Sequence, residues 1–185
     1  MSLTLRSERL LLRFGQPADA EEMTAFQRRN RAHFRPWEPR RPEAYFSSGF
    51  WRVQLAREET SRVKDRAYRF LLCPRGEPAR IVGWASFSNV VRGAFQSCHL
   101  GFGLDEGEVG QGLMHEGLTL ALEDVFERLR LHRVEANHRP ENVRSGVLLK
   151  RLGFVPQGFA RDYLFIDGEW RDHVLTARLH PGWQP

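Results

Sequence analysis

Leu100-Gly-Phe-Gly-Leu-Asp-Glu-Gly-Glu-Val-Gly-Gln-Gly-Leu-Met114 decides how the rest of the chain is read. A strand-like start with Gly101 and Gly103 gives way to a loop with glycines at 107, 110 and 112. An apolar run to Leu129 follows, with Leu118, Leu122, Val125 and Leu129 on one helical face and Leu113, Ala121 and Phe126 widening it. Glycines at such a junction let backbone approach a ligand closely, and the unpaired N–H groups of a first helical turn attract anions. The stretch is therefore expected to hold phosphate by main chain. No Gly-Lys-Ser/Thr follows, so it is not a nucleotide P-loop, and the three-glycine dinucleotide spacing is absent.

Working outward, the chain is long enough, at 185 residues, for one domain spanning 1–185 with a full core. Its 41% hydrophobic and 28% charged content suits a soluble globular protein. No apolar run approaches the roughly 20 residues of a membrane span, and Met1-Ser-Leu-Thr-Leu-Arg6 lacks signal-peptide character, so a cytoplasmic protein is expected. Cys73 and Cys98 are too few for a disulfide framework, and neither they nor the histidines show metal-ligand spacing. The net charge of +5 is almost all arginine, with only Lys64 and Lys150 as lysines, and suits an anionic cofactor, RNA or a ribosomal surface.

Before the glycine stretch, Leu3 to Arg13 reads as one strand, and Asp19 with Glu22 as a capping box opening a helix to about Arg31. His33 to Pro39 is a proline-framed loop, and Tyr45 to Leu55 begins a second helix. Tyr68–Cys73 and Ile81–Val91 form a hairpin, with Ala94–Leu104 its third strand. After the long helix, Arg133–Asn137 alternates as a strand with Glu135 and Asn137 on one side. A helix from about Asn142 turns Val147, Leu148 and Leu152 inward and ends at Gly153. Phe159–Ile166 and Trp170–Arg178 close the chain around an Asp167-Gly168 turn. The order βαα-βββ-αβ-αββ implies an α/β (α+β) fold: a mixed, mainly antiparallel sheet of about seven strands with helices on both faces.

These residues resemble the GNAT acetyltransferases, and within them the RimJ/RimL group of ribosomal-protein N-terminal acetyltransferases, on the RimJ side. Arg9-Leu-Leu-Leu-Arg13 looks like the group's first strand, and Pro36-Trp-Glu-Pro39 like its substrate-side loop. Gly110-Gln-Gly-Leu-Met114 looks like the coenzyme A pyrophosphate loop. Asn137, Pro140 to Ser145 and Leu152-Gly-Phe154 look like the next strand and helix, and Asp162 to Thr176 like the RimJ tail. The resemblance implies acetyl-CoA as cosubstrate, held by Phe102, Gly103, Leu104, Val109 to Met114, Asn137, Asn142 and Ser145. It implies the N-terminus of a ribosomal protein as acceptor, with ribosome or RNA contact and a monomer or homodimer left open. Two departures stand out. The first place of the family's loop motif falls on Gly107, and the tyrosine many members carry as acid for the departing thiolate is Leu149 here.

The implied reaction is direct attack of an amine on the thioester, without an acyl-enzyme. It needs a neutral amine, a place for the oxyanion, and a proton or hydrogen bond for the sulfur. A bulge eased by Gly101 and Gly103 would splay the strand and aim N–H groups of Phe102 and Gly103 at the carbonyl; glycines present only for packing is the competing reading. Ser145 is first choice at the sulfur, unless it is only the helix cap, and Tyr163 second. Glu135 or Glu38 is the candidate base. Phe34, Trp37, Glu38, Tyr163 and His173 are expected at the acceptor, although loop aromatics equally serve as core plugs. Acetylation of a small amine (a polyamine, antibiotic or amino acid) and a non-catalytic acetyl-CoA-binding ribosome or RNA factor remain alternatives.

Overall fold

In the computed structural model, which describes residues 3–184, one sheet of eight strands is ordered β1-β2-β3-β4-β5-β6-β8-β7. The strands are β1 (Thr4–Arg6), β2 (Leu10–Phe14), β3 (Tyr68–Pro74), β4 (Gly83–Val91), β5 (Ser97–Leu104), β6 (Arg133–Glu135), β7 (Val155–Ile166) and β8 (Glu169–Leu179). The helices are α1 (Ala20–Arg29), α2 (Arg31–Phe34), α3 (Ser48–Val63), α4 (Leu113–Glu127) and α5 (Val143–Arg151). Every neighbouring pair is antiparallel except β5 with β6. This is the mixed, mainly antiparallel α/β sheet expected, with one strand more.

The extra strand comes from the start of the chain. The Leu3–Arg13 segment is two strands, because Ser7 Oγ bonds back to Leu10 and folds the backbone into a turn. The Asp19–Glu22 capping box is also absent. Asp19 instead accepts from Gln16 N–H and the Arg13 guanidinium, while Glu22 accepts from Ile81 N–H and Arg29. Tyr45 and Phe46 lie in a 3-10 turn ahead of α3, whose cap is Ser47.

Alternation sorts each strand's side chains between two cores. Leu10, Leu12, Phe70, Leu72, Ala85, Phe87, Cys98 and Val134 pack against α4 and α5 on one face. Leu71, Cys73 and Ile81 pack against α1 and α3 on the other. Gly117 of α4 is where helix meets sheet most closely, since a Cβ there would lie 2.7 Å from Leu72. The inward face of α5 differs from the expected one. Leu149 and Leu152 are buried, Leu148 is partly so, and Val147 points to solvent at 55% exposure.

The central geometry is the parting of β5 from β6. They pair in parallel through Ser97↔Arg133, Cys98↔Val134 and His99↔Glu135, and then diverge. Beyond that point β5 stays with β4 as far as Gly83↔Leu104. The chain after β6 stays with β8, through Ala136 N–H to Thr176 C=O at 3.0 Å and a His138–Val174 pair at 3.2 and 2.9 Å. The splay is therefore real, but the expected bulge at Gly101–Gly103 is not its cause. The register shift lies on β4 between Ser88 and Val91, where Asn89 takes a φ of 52°.

Candidate active site

Antiparallel strands alternate between residues that bond a given neighbour and residues that face away. Asp105 N–H donates to Val82 C=O at 2.8 Å, so the main chains of Gly103 and Gly101 face β4. Those of Phe102 and Leu104 then face the gap left by β6. By the same alternation Asn137 turns its N–H and C=O into the gap from the other side, since Ala136 and His138 bond β8. A fissure lined by open amide groups results, suited to an extended amide-bearing ligand. Gly103 has a separate reason to be glycine: a Cβ would lie 2.8 Å from the Trp84 indole, which covers it.

The glycine loop sits at one end of this fissure. Asp105 starts it by accepting from Gly107 N–H at 3.2 Å and from Arg29 Nε at 2.5 Å. Burial pushes the Asp105 carboxyl up, but the bonds from Arg29 and Gly107 outweigh it and hold the group below its ordinary value. Gly110 and Gly112 take φ of 88° and 79°, in the region that a Cβ penalises. Gly112 is the N-cap of α4. Among the described residues the N–H groups of Gly110 through His115 meet no protein acceptor, since the first helical bond runs from Glu116 N–H to Gly112 C=O. Six consecutive open donors at a helix N-terminus form the anion cradle that the glycines suggested.

A residue the sequence did not single out holds this loop. Arg9 donates through Nη1 to Gln111 C=O at 2.9 Å and through Nε to Glu116 at 2.7 Å. Its main-chain N–H also reaches Glu116, at 2.8 Å. Burial disfavours the charged Glu116, yet the Arg9 contacts win and keep it ionised below the usual carboxylate range. The one acidic side chain in the first turn of α4 is thus neutralised by a partner, which leaves the cradle open to an anion.

On α5 the cap is Asn142, whose Oδ1 accepts from Ser145 N–H at 3.2 Å. Ser145 is therefore not the cap. Its half-buried hydroxyl has no hydrogen-bond partner among the described residues. Leu149, one turn further on, is 1% exposed in the core, so no hydroxyl stands at the position of the family's tyrosine. Asn137 ties the facing wall together: its Nδ2 donates to Tyr163 Oη at 3.3 Å, and its Oδ1 accepts from Thr176 N–H at 3.2 Å. His173 is 4% exposed with its ring 5.5 Å from that of Tyr163. Burial lowers its pKa, so it is neutral at pH 7 and braces Tyr163 as an uncharged ring.

Glu135 sits at the apex of the fissure, on the face opposite α4 and α5. It accepts from Arg133 Nε at 2.7 Å and faces His99 Nε2 at 3.3 Å. His99 Nδ1 is buried without a partner. Nothing local in the sequence marks His99; only the parallel register reveals its pairing with Glu135. Glu38 stands apart from this group, paired with Arg41 at 3.2 Å.

The substrate-side loop is pinned by another unanticipated arginine. Arg139 donates to Pro36 C=O at 2.6 Å and stacks over Trp37 at 5.4 Å. At the loop's other side, Asp167 N–H donates to Glu38 C=O at 3.1 Å. Trp37 is 37% exposed and so is not a core plug. Phe34, at 7%, packs on Phe26 and belongs chiefly to the core. Trp37→Ala is accordingly expected to raise the KM for a peptide acceptor severalfold with little change for acetyl-CoA, measured by steady-state kinetics. Equal loss of both would make it structural.

A splayed β5–β6 pair with a main-chain anion cradle at the head of α4 defines an acyl-CoA-using transferase site, and residues 9–155 match the family model described as the acetyltransferase (GNAT) domain. The chain belongs to the GNAT acetyltransferases, enzymes that take their acetyl group from acetyl-CoA. It is 42% identical over 181 residues, 98% of this chain and 93% of the other, to the ribosomal protein uS5-alanine N-acetyltransferase of Escherichia coli (strain K12). The crystal structure of the ribosomal-protein-S5-alanine acetyltransferase from Vibrio fischeri superposes with a TM-score of 0.94 at 32% identity, covering 99% of this chain and 100% of that one. Mycobacterium smegmatis RimJ in complex with CoA-disulfide gives 0.88 at 29%, covering 96% and 86%.

Proposed function

We propose that this enzyme transfers acetyl from acetyl-CoA to the N-terminal amine of a ribosomal protein, with an alanine-starting uS5 terminus the first acceptor to test. The observation that carries this is the near full-length 42% identity to the uS5-alanine enzyme. The lining of the acceptor side agrees with it. In the cleft beside the substrate-side loop four arginines meet Glu38, Glu43 and Asp167, a positive balance that does not favour a polyamine. An acceptor made on ribosomes fits a cytoplasmic enzyme.

The residues divide the work as follows. The Gly110–His115 amides and Arg9-braced loop suit the cosubstrate's diphosphate, and Phe102, Leu104 and Asn137 suit its amide-bearing arm. Bound there, acetyl-CoA supplies an activated acyl carbon. The open N–H groups of β5 offer hydrogen bonds to a developing oxyanion. Ser145, on the α5 side, is the hydroxyl available to a departing thiolate of pKa about 8.5. Glu135, with His99, takes up the amine's proton from the opposite face. Burial pushes the Cys98 thiol up to about 12, so the cysteine at the neck of the fissure is no acyl-accepting thiolate, in support of direct transfer.

Because an α-amino group titrates at about 7.7–8.0 and a lysine side chain near 10.4, a terminal amine needs little help to lose its proton at neutral pH. With the acceptor subsaturating, kcat/KM should climb from about pH 6.5 and level above about pH 8.5 as the free amine forms. A profile flat across that interval would contradict the reading. The broader test is an intact-mass screen of ribosomal N-terminal peptides and small amines with acetyl-CoA. An alanine-starting peptide should gain one acetyl group; acetylation of small amines alone would overturn the assignment.

A further inference from the structure

Beside the substrate-side loop lies a cleft of about 310 Å³ at which four guanidinium groups meet three carboxylates. Arg31, Arg35, Arg40 and Arg41 line it, and Glu38 is the one carboxylate among the lining residues. Arg31 is taken up by Glu43 through both η nitrogens, but the other three keep donors available. Arg35 and Arg40 share the single carboxylate of Asp167, each through Nε, at 3.1 and 3.3 Å. Arg41 likewise gives only its Nε to Glu38, at 3.2 Å. Among the described residues the η nitrogens of these three arginines meet no hydrogen-bond acceptor, and Arg35 and Arg40 are each 68% exposed along the side chain. Hydrogen bonds from Arg35 and then Arg40 hold the Asp167 carboxyl below the usual range, so it stays ionised, and its single charge offsets only one of the two guanidiniums.

The frame around these groups is fixed. Arg41 stacks on Tyr45 at 4.7 Å and Arg31 on Phe46 at 4.4 Å. The Asp167-Gly168 turn clasps the loop through Glu38 C=O. Planar, pre-positioned guanidiniums present the paired donors that a carboxylate accepts. The volume is that of a side-chain pocket. A nucleic acid would call instead for an open basic track along which several phosphates are met in series.

We infer that this cleft is an acceptor subsite that reads an acidic side chain downstream of the terminal amine. This rests on the peptide-acceptor reading above and deepens it, since the same loop carries Trp37 on its other flank. The enzyme would then select acceptors by an Asp or Glu in the first few residues as well as by the terminal residue.

The experiment compares neutral alanine-starting peptides with versions bearing Glu in turn at each following position, and Gln as its isostere. At one position Glu should lower KM about tenfold relative to Gln, as charge-assisted hydrogen bonds do, with kcat and the acetyl-CoA KM unchanged. Arg35→Gln with Arg40→Gln should bring that ratio to about one while leaving the neutral peptide's KM unaltered. Arg35→Lys with Arg40→Lys, which keeps charge but loses the planar fork, should restore only part of it. Acetylated peptides without any Glu preference would overturn the pocket alone, as would a Glu preference that survives both Gln substitutions. No peptide acetylation at all would overturn the function reading and the pocket with it. If the Gln pair instead weakens salt-dependent binding of a short RNA duplex and spares the peptide ratio, the cleft serves nucleic acid and the inference fails.

Discussion

Gly112→Ala should raise the Kd for coenzyme A and the KM for acetyl-CoA by about 30-fold while kcat at saturation changes little. The backbone at this residue carries the effect. Its φ of 79° costs an L-residue about 1–2 kcal/mol, so the loop relaxes toward another conformation. The relaxation turns away open amides of the cradle, and one charge-assisted hydrogen bond is worth about 1.5–3 kcal/mol, or more than tenfold in affinity. The added methyl itself makes only ordinary contact, 3.6 Å from Arg9 Nη2, so the backbone conformation carries the effect. Gly49→Ala is the matched control, because nothing lies within 4 Å of a Cβ there and the residue is inside α3. That variant should leave both constants alone and stabilise the fold slightly. Calorimetric titration and initial-rate kinetics read the result; unchanged affinity in a folded Gly112→Ala protein would place the diphosphate elsewhere.

The second large effect is expected at Ser145. Ser145→Ala should lower kcat by about 10- to 100-fold with KM for acetyl-CoA held within a few-fold, because the hydroxyl serves the leaving sulfur and not the ground state. The size sits at the low end for acid catalysis, since a thiol of pKa about 8.5 departs readily. Helix stability should be spared, as the capping oxygen belongs to Asn142. Tyr163→Phe is the comparison: it strips Asn137 Nδ2 of its acceptor and should loosen that wall, raising KM more than it lowers kcat. A reversed pattern, with kcat falling at Tyr163 and unmoved at Ser145, would exchange their roles.

What the sequence disclosed and what it concealed follow a physical division. The β5–loop–α4 unit was legible because its glycines and apolar stripe are local signals, and the structure spends them locally, at φ of 88° and 79° and at the Gly117–Leu72 contact. The β1–β2 turn was missed because a serine hydroxyl makes it, without glycine or proline to mark it. The inward face of α5 was misphased because nine residues leave the cap at Asn142 and the Leu149–Leu152 pair to set the helix's rotation. Most of the site's supports were out of reach. Arg9 meets Gln111, and Arg139 meets Pro36, across more than a hundred residues of chain, which no local pattern encodes. His99 and Glu135 become partners only once β5 and β6 are in register. Glycine spacing thus pointed to the cradle and the family resemblance to the fissure, while tertiary pairing alone shows what braces them.

The central claim is that open main-chain amides at the head of α4 grip a diphosphate. Titration calorimetry of the purified protein with coenzyme A and with pantetheine, which lacks the diphosphate, tests it most directly. Saturable one-site binding of coenzyme A, with pantetheine weaker by about two orders of magnitude or more, is the outcome the account requires. Equal affinities for the two, or no heat with coenzyme A, would contradict it.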